Sequence, residues 1–192
     1  MYASLFCSVI IAHMCCDKVG QHRLGHTGAC KAAVQFLSRY ERHDLYASLF
    51  CSVIAALAYK SPDNQSRLSQ FGACKVVVGV MERFLGTSLE TYFSSRGDLT
   101  NGSNISPSSS STSLSSLATQ QSLNQATGRP SLVIDGCAAI AQLSLGHEVN
   151  RNKLTMASPT IVDVLTAIVT AGPIVSDLAK ENARCAMDAI VG

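Results

Sequence analysis

Residues 51–81 read CSVIAALAYKSPDNQSRLSQFGACKVVVGVM, and this stretch decides the fold. Val53, Ile54 and Leu57, with Leu49 and Phe50 just upstream, follow the i, i+3, i+4 spacing of one helix face. A long helix is expected over Leu45–Tyr59, with Asp44 where an N-cap would accept orphan amide hydrogens. Ser61-Pro62 marks a second start, because proline at the first helical position lacks an N–H that would be unpaired there anyway. A short helix is expected over Pro62–Gln70. Gly72 then breaks the chain, since glycine takes φ > 0 without steric cost. A third helix is expected over Ala73–Phe84. No segment sustains period-2 alternation, so no sheet is expected.

The same trio recurs on either side. Residues 2–40 align with residues 46–84 at an offset of 44, without a gap, and 19 of the 39 pairs are identical. The nonapeptide YASLFCSVI occurs at Tyr2–Ile10 and again at Tyr46–Ile54. Gln21/Gln65, Arg23/Arg67, Leu24/Leu68 and Gly28–Lys31/Gly72–Lys75 also match. A third copy lies 86 residues beyond the second and pairs Cys51 with Cys137, Ile54 with Ile140, Leu57 with Leu143, Asn64 with Asn150 and Leu68 with Leu154. Ser158-Pro159 reads as its cap-then-proline junction. Gly172-Pro173 reads as a stop, and a fourth copy begins near Val175. A trio of this kind cannot bury its own apolar face, so successive trios are expected to stack into a solenoid. Small residues such as Ala55, Ala56, Ala58, Ala139 and Ala141 permit close helix contact.

The run Ile54–Ala58, the Asn64–Leu68 spacing and the Gly72-Ala73 break resemble the armadillo repeat, over roughly 2–83 and 131–191. The resemblance implies an all-α fold: a right-handed α-solenoid of armadillo-type three-helix repeats with a disordered Ser-rich insertion. The expected organisation is armadillo-like repeats over 1–86, the insertion over 87–130, and the diverged third copy with the start of a fourth over 131–192. The resemblance also implies that the long helices line a concave groove for a partner peptide or helix. Nuclear-import receptors of this family repeat a Trp and an Asn along that groove. Here the Trp position holds Ser8, Ser52 and Ala138, and the Asn position holds Ala12, Ala56 and Gln142, which argues against recognition of that type. The groove residues expected are Ser4, Ser8, Ala12, Ser48, Ser52, Ala56, Ala138 and Gln142: a small, weakly polar stripe.

From Ser94 to Ser131 there are 13 Ser in 38 residues and only three charges, Arg96, Asp98 and Arg129. Such a stretch cannot bury enough apolar area to offset its ordering entropy, so it is read as a disordered insertion in a surface loop. The alternative is a whole decayed repeat, since the excess spacing, 86 minus 44, is 42 residues. Phosphorylation of its hydroxyls, Ser106-Pro107 among them, would add acidic charge.

Composition narrows the function. A net charge of +2 and 6% aromatics leave no footprint for nucleic acid and no stacking platform. Residues 1–86 carry net +4 and residues 87–192 net −2, which suits either an acidic partner on the first half or a solvated surface. The apolar first sixteen residues contain a segment that recurs internally at Tyr46–Ile54, flanked there by Asp44 and Lys60, so neither a signal peptide nor a membrane span is expected. The expected compartment is the cytoplasm, with the nucleus compatible, and the eight cysteines are thiols by default.

His13, Cys15, Cys16, His22, His26 and Cys30 have the donor types for zinc. No Cys-x-x-Cys spacing accompanies them, and the second copy has Tyr59, Lys60, Ser66 and Gln70 in place of Cys15, Cys16, His22 and His26, so no metal or other cofactor is expected. No nucleophile elbow, Gly-rich phosphate loop or repeated carboxylate pair occurs, so no catalytic residue is assigned. His147-Glu148 is read as a cap or a solvated pair. The leading expectation is a non-catalytic scaffold with a protein partner. The alternatives are an accessory substrate-binding segment of a larger enzyme, such as a ubiquitin ligase, and a zinc or redox module at the Cys15/Cys16 cluster. The chain starts in a long helix and stops in another, which reads as a fragment of a longer protein that packs end to end with further repeats.

Overall fold

The computed structural model describes residues 17–84, 130–171 and 175–191. Among these residues the protein is all-α, with nine helices and no strand. They are α1 (Lys18–His26), α2 (Ala29–Arg39), α3 (Asp44–Ala58), α4 (Pro62–Gln70), α5 (73–84), α6 (Pro130–Ser144), α7 (Glu148–Ala157), α8 (Ile161–Thr170) and α9 (Asp177–Val191). Ser4, Ser8, Ala12, the cysteines before Asp17, His13, the Ser-rich segment and the Gly172-Pro173 stop lie outside the described residues.

The second copy forms the expected trio with each boundary within one residue. The caps differ from expectation. Asp44 is the first residue of α3 rather than its cap, and His43 holds the N-cap position without a side-chain bond. Ser61 precedes Pro62 as expected but makes no capping hydrogen bond. Ser158-Pro159 is not the third copy's short-helix start: Ser158 ends α7, and α8 begins after Thr160. The residue matching Ser61 is His147, whose Nδ1 accepts the Asn150 amide at 3.3 Å, so the capping role read for His147 is borne out. Gly28 and Gly72 adopt φ of 94° and 88°, the left-handed conformation that an L side chain resists. α7 and α8 are bent by 88° at their junction.

Packing follows the repeat. α3 lies along α6, and α6 along α9, as the most extensive helix contacts among the printed elements. α2 packs on α3, and α8 on α9. The short helices α1, α4 and α7 lie against one another in sequence order. One core runs through both described copies, including Leu37, Ile54, Leu57, Leu68, Met81, Ile140, Leu143, Leu154 and Leu165. Each such side chain contributes roughly 1.5–3 kcal/mol on leaving water, which offsets the ordering entropy of short helices that would not persist alone. Gly136 gives α6 room for the Met81 side chain, because a β-carbon there would lie 2.1 Å from the sulfur.

Candidate interaction groove on the long helices

Neighbouring copies are tied together by a repeated amide network. Gln21 on α1 donates Nε2 to the carbonyls of Ala56, Leu57 and Tyr59 at 2.9, 3.0 and 2.7 Å. Gln65 on α4 does the same one copy later, to Gln142 and Leu145 at 2.7 and 3.1 Å. These acceptors are carbonyls at the end of a long helix, which has no intrahelical donor for them. Asn64 answers from the other side, donating Nδ2 to Gln21 and Leu57 carbonyls at 3.2 and 3.1 Å. Asn150 repeats it with Gln65 and Leu143 at 3.3 and 2.8 Å. All four amide side chains are buried. The sequence reading noted these residues as matches but missed their role.

A cation reinforces each step. Arg67 approaches the His26 ring at 3.2 Å and lies near the Cys30 thiol. Its counterpart Lys153 donates to Ser69 Oγ at 2.8 Å and lies near Cys74. His147 adds a further tie. Its Nδ1 accepts from Asn150, which leaves the neutral ring's proton on Nε2 to donate to Ser66 Oγ at 2.9 Å.

The expected stripe on α3 and α6 is partly open. Ser52, Ala56, Ala138 and Gln142 are half-buried. Ser48 departs from the expectation: it is buried, because Asp135 reaches across from α6 and accepts its hydroxyl proton at Oδ2. Gln142 has a buried Oε1 without a hydrogen-bond partner. Burial repeats between α6 and α9 at a step of 47, pairing Leu132 with Ala179, Gly136 with Ala183 and Ala139 with Ala186. Ala138 then corresponds to Cys185, an exposed thiol, and Ile134 to Glu181. Asn182 crosses the α6–α9 seam and donates to the Ile134 carbonyl at 3.1 Å, as Asp135 crosses the α3–α6 seam.

Charge divides between the two helix sets. The short helices α1, α4 and α7 carry five Lys/Arg and two Asp/Glu. The long helices α3, α6 and α9 carry two Lys/Arg and five Asp/Glu, and both cations are on α9. Asp44 and Asp135 are thus the only charged residues on α3 and α6. Burial pushes the Asp135 carboxyl above its ordinary value, and the Ser48 hydrogen bond opposes that shift.

Burial likewise pushes the Cys30 thiol up to about 11 and Cys137 to about 12, and raises Cys51 and Cys74. At neutral pH these four are protonated packing residues. The His22 and His26 rings lie tilted to one another with centroids 4.4 Å apart, but Cys30, on α2, is buried and Arg67 contacts the His26 ring. Among the described residues no group of three or more His, Cys, Asp or Glu is placed to hold a metal ion. Among them, too, no single helix is long and apolar enough to cross a membrane.

Comparison with protein-family models, curated proteins and solved structures found no match.

Proposed function

We propose that this chain is a non-catalytic protein-interaction scaffold: an armadillo-type α-solenoid that binds a partner peptide or helix along the face of its long helices. The observation that carries the reading is the amide network, which recurs from Gln21/Asn64 to Gln65/Asn150 in register with the sequence repeat. A network of this kind fixes the long helices side by side and leaves their outer stripe available. Ser52, Ala56 and Ala138 keep that stripe low, so another backbone can approach closely.

Affinity capture followed by mass-spectrometric identification tests the reading, comparing the chain with the variant Ser52→Gln plus Ala138→Gln. Both replacements are long, uncharged and helix-compatible. Partners that bind the parent and are lost from an equally helical variant support the groove. Partners that bind both equally place recognition elsewhere.

A further inference from the structure

We propose that the seam between α3 and α6 takes a polypeptide segment bearing a lysine or arginine, whose cationic head seats against the Asp135 carboxylate. This rests on the groove reading above and gives the occupant a chemistry.

Asp135 reaches across the seam and receives one hydrogen bond, from Ser48, and it forms no ion pair with any described residue. Neither α3 nor α6 contains a Lys or Arg that could supply one. A carboxylate drawn out of water without a counter-charge among the described residues is an unfavourable element of a fold, and a cation seated beside it relieves that burden. The seam around it adds no competing charge, since the Cys51 and Cys137 thiols are neutral. Ser52 and Ala138, one turn along, give a partner backbone close access. The field of the long helices is negative, so it favours a basic segment over an acidic one. A bare divalent cation is a poorer occupant, because it requires several oxygen ligands and this seam supplies one carboxylate.

The test is fluorescence anisotropy on the full chain at low salt with three labelled octapeptides: alternating Ala-Lys, Ala-Gln and Ala-Glu. The Lys peptide is expected to bind at least about tenfold more tightly than the Gln peptide, as a charge-assisted contact requires. Asp135→Asn is expected to bring the Lys peptide to the level of the Gln peptide, whereas Asp177→Asn, at the exposed start of α9, changes it less than about twofold. In the unsubstituted protein, the Lys peptide is expected to move the Asp135 carboxyl titration downward by NMR, a readout independent of how the variant folds. Equal binding of the Lys and Gln peptides, both lost in the Ser52→Gln/Ala138→Gln variant, overturns the Asp135 assignment and leaves the groove standing. Lys binding that needs Asp135 but ignores the filled stripe overturns the groove reading instead. Tightest binding of the Glu peptide, or no binding of any peptide, overturns the proposal.

Discussion

The Oδ1 atom of Asn64 lies so close over Gly25 that a β-carbon at that glycine would sit 1.8 Å from it. Asn64 is held there by two carbonyls, one from its own copy and one from the copy before. The glycine on α1 is thus the complement of an asparagine on α4, across the contact between successive short helices.

Gly25→Ala is therefore expected to destabilise the fold by about 2–3 kcal/mol, because the amide cannot move without giving up buried hydrogen bonds. Gly79→Ala, inside α5 with open space around the added carbon, is expected to stabilise by roughly 0.5–1 kcal/mol. Urea denaturation of both variants measures the contrast. Equal effects at the two sites would show that Gly25 has no special neighbour.

Gln65 and Asn150 are expected to be energetically coupled. Both side chains donate to backbone carbonyls at the C-terminal end of α6, Gln65 to Gln142 and Leu145 and Asn150 to Leu143. Gln65→Ala and Asn150→Ala should each cost about 1–3 kcal/mol, and the double variant should differ from their sum by at least ~0.5 kcal/mol. Strict additivity in a double-mutant cycle would mean that the two side chains act independently.

Asp135 gives stability a pH dependence of definite sign. Its folded-state pKa is raised, mainly by burial, so its charged form weakens the fold above that pKa. The penalty is fully present above the folded value and fades as pH falls toward the unfolded value. Asp135→Asn should thus be more stable than the parent at pH 7, with the advantage shrinking as the pH drops through the acidic range. Denaturant midpoints at several pH values read this directly. A variant less stable at neutral pH would show that the charged carboxylate supports the fold.

Thiol accessibility should separate the described cysteines cleanly. Cys185 is exposed, whereas Cys30, Cys51, Cys74 and Cys137 are buried. Residue-resolved mass spectrometry after brief maleimide labelling should find Cys185 modified and the other four unmodified until denaturant is added. Early labelling of Cys51 or Cys137 would mean that the α3–α6 seam opens readily.

The sequence carried the helices well and the long-range ties poorly, for a physical reason. Helix limits follow from local period and from Pro62 and Gly72, so α3, α4 and α5 were legible to within a residue. The bonds of Gln21 and Gln65 cross 35 to 80 residues, and nothing local in a glutamine says which carbonyls it will meet. Repetition was a usable signal for Gln21/Gln65 and Asn64/Asn150, but Arg151 at the third glutamine position hid the pattern. Asp135 was missed because it corresponds to Leu49 in the preceding copy, so it broke the repeat at the point where it bridges two helices.

The most direct measurement is hydrogen–deuterium exchange of the full chain, alone and with a partner identified by capture. The groove reading expects new protection over 48–56 and 134–142, where Ser52, Ala56, Ala138 and Gln142 lie, with α1, α4 and α7 unchanged. Protection confined to those short helices, with the long helices unaffected, would contradict it and assign recognition to the basic side of the molecule.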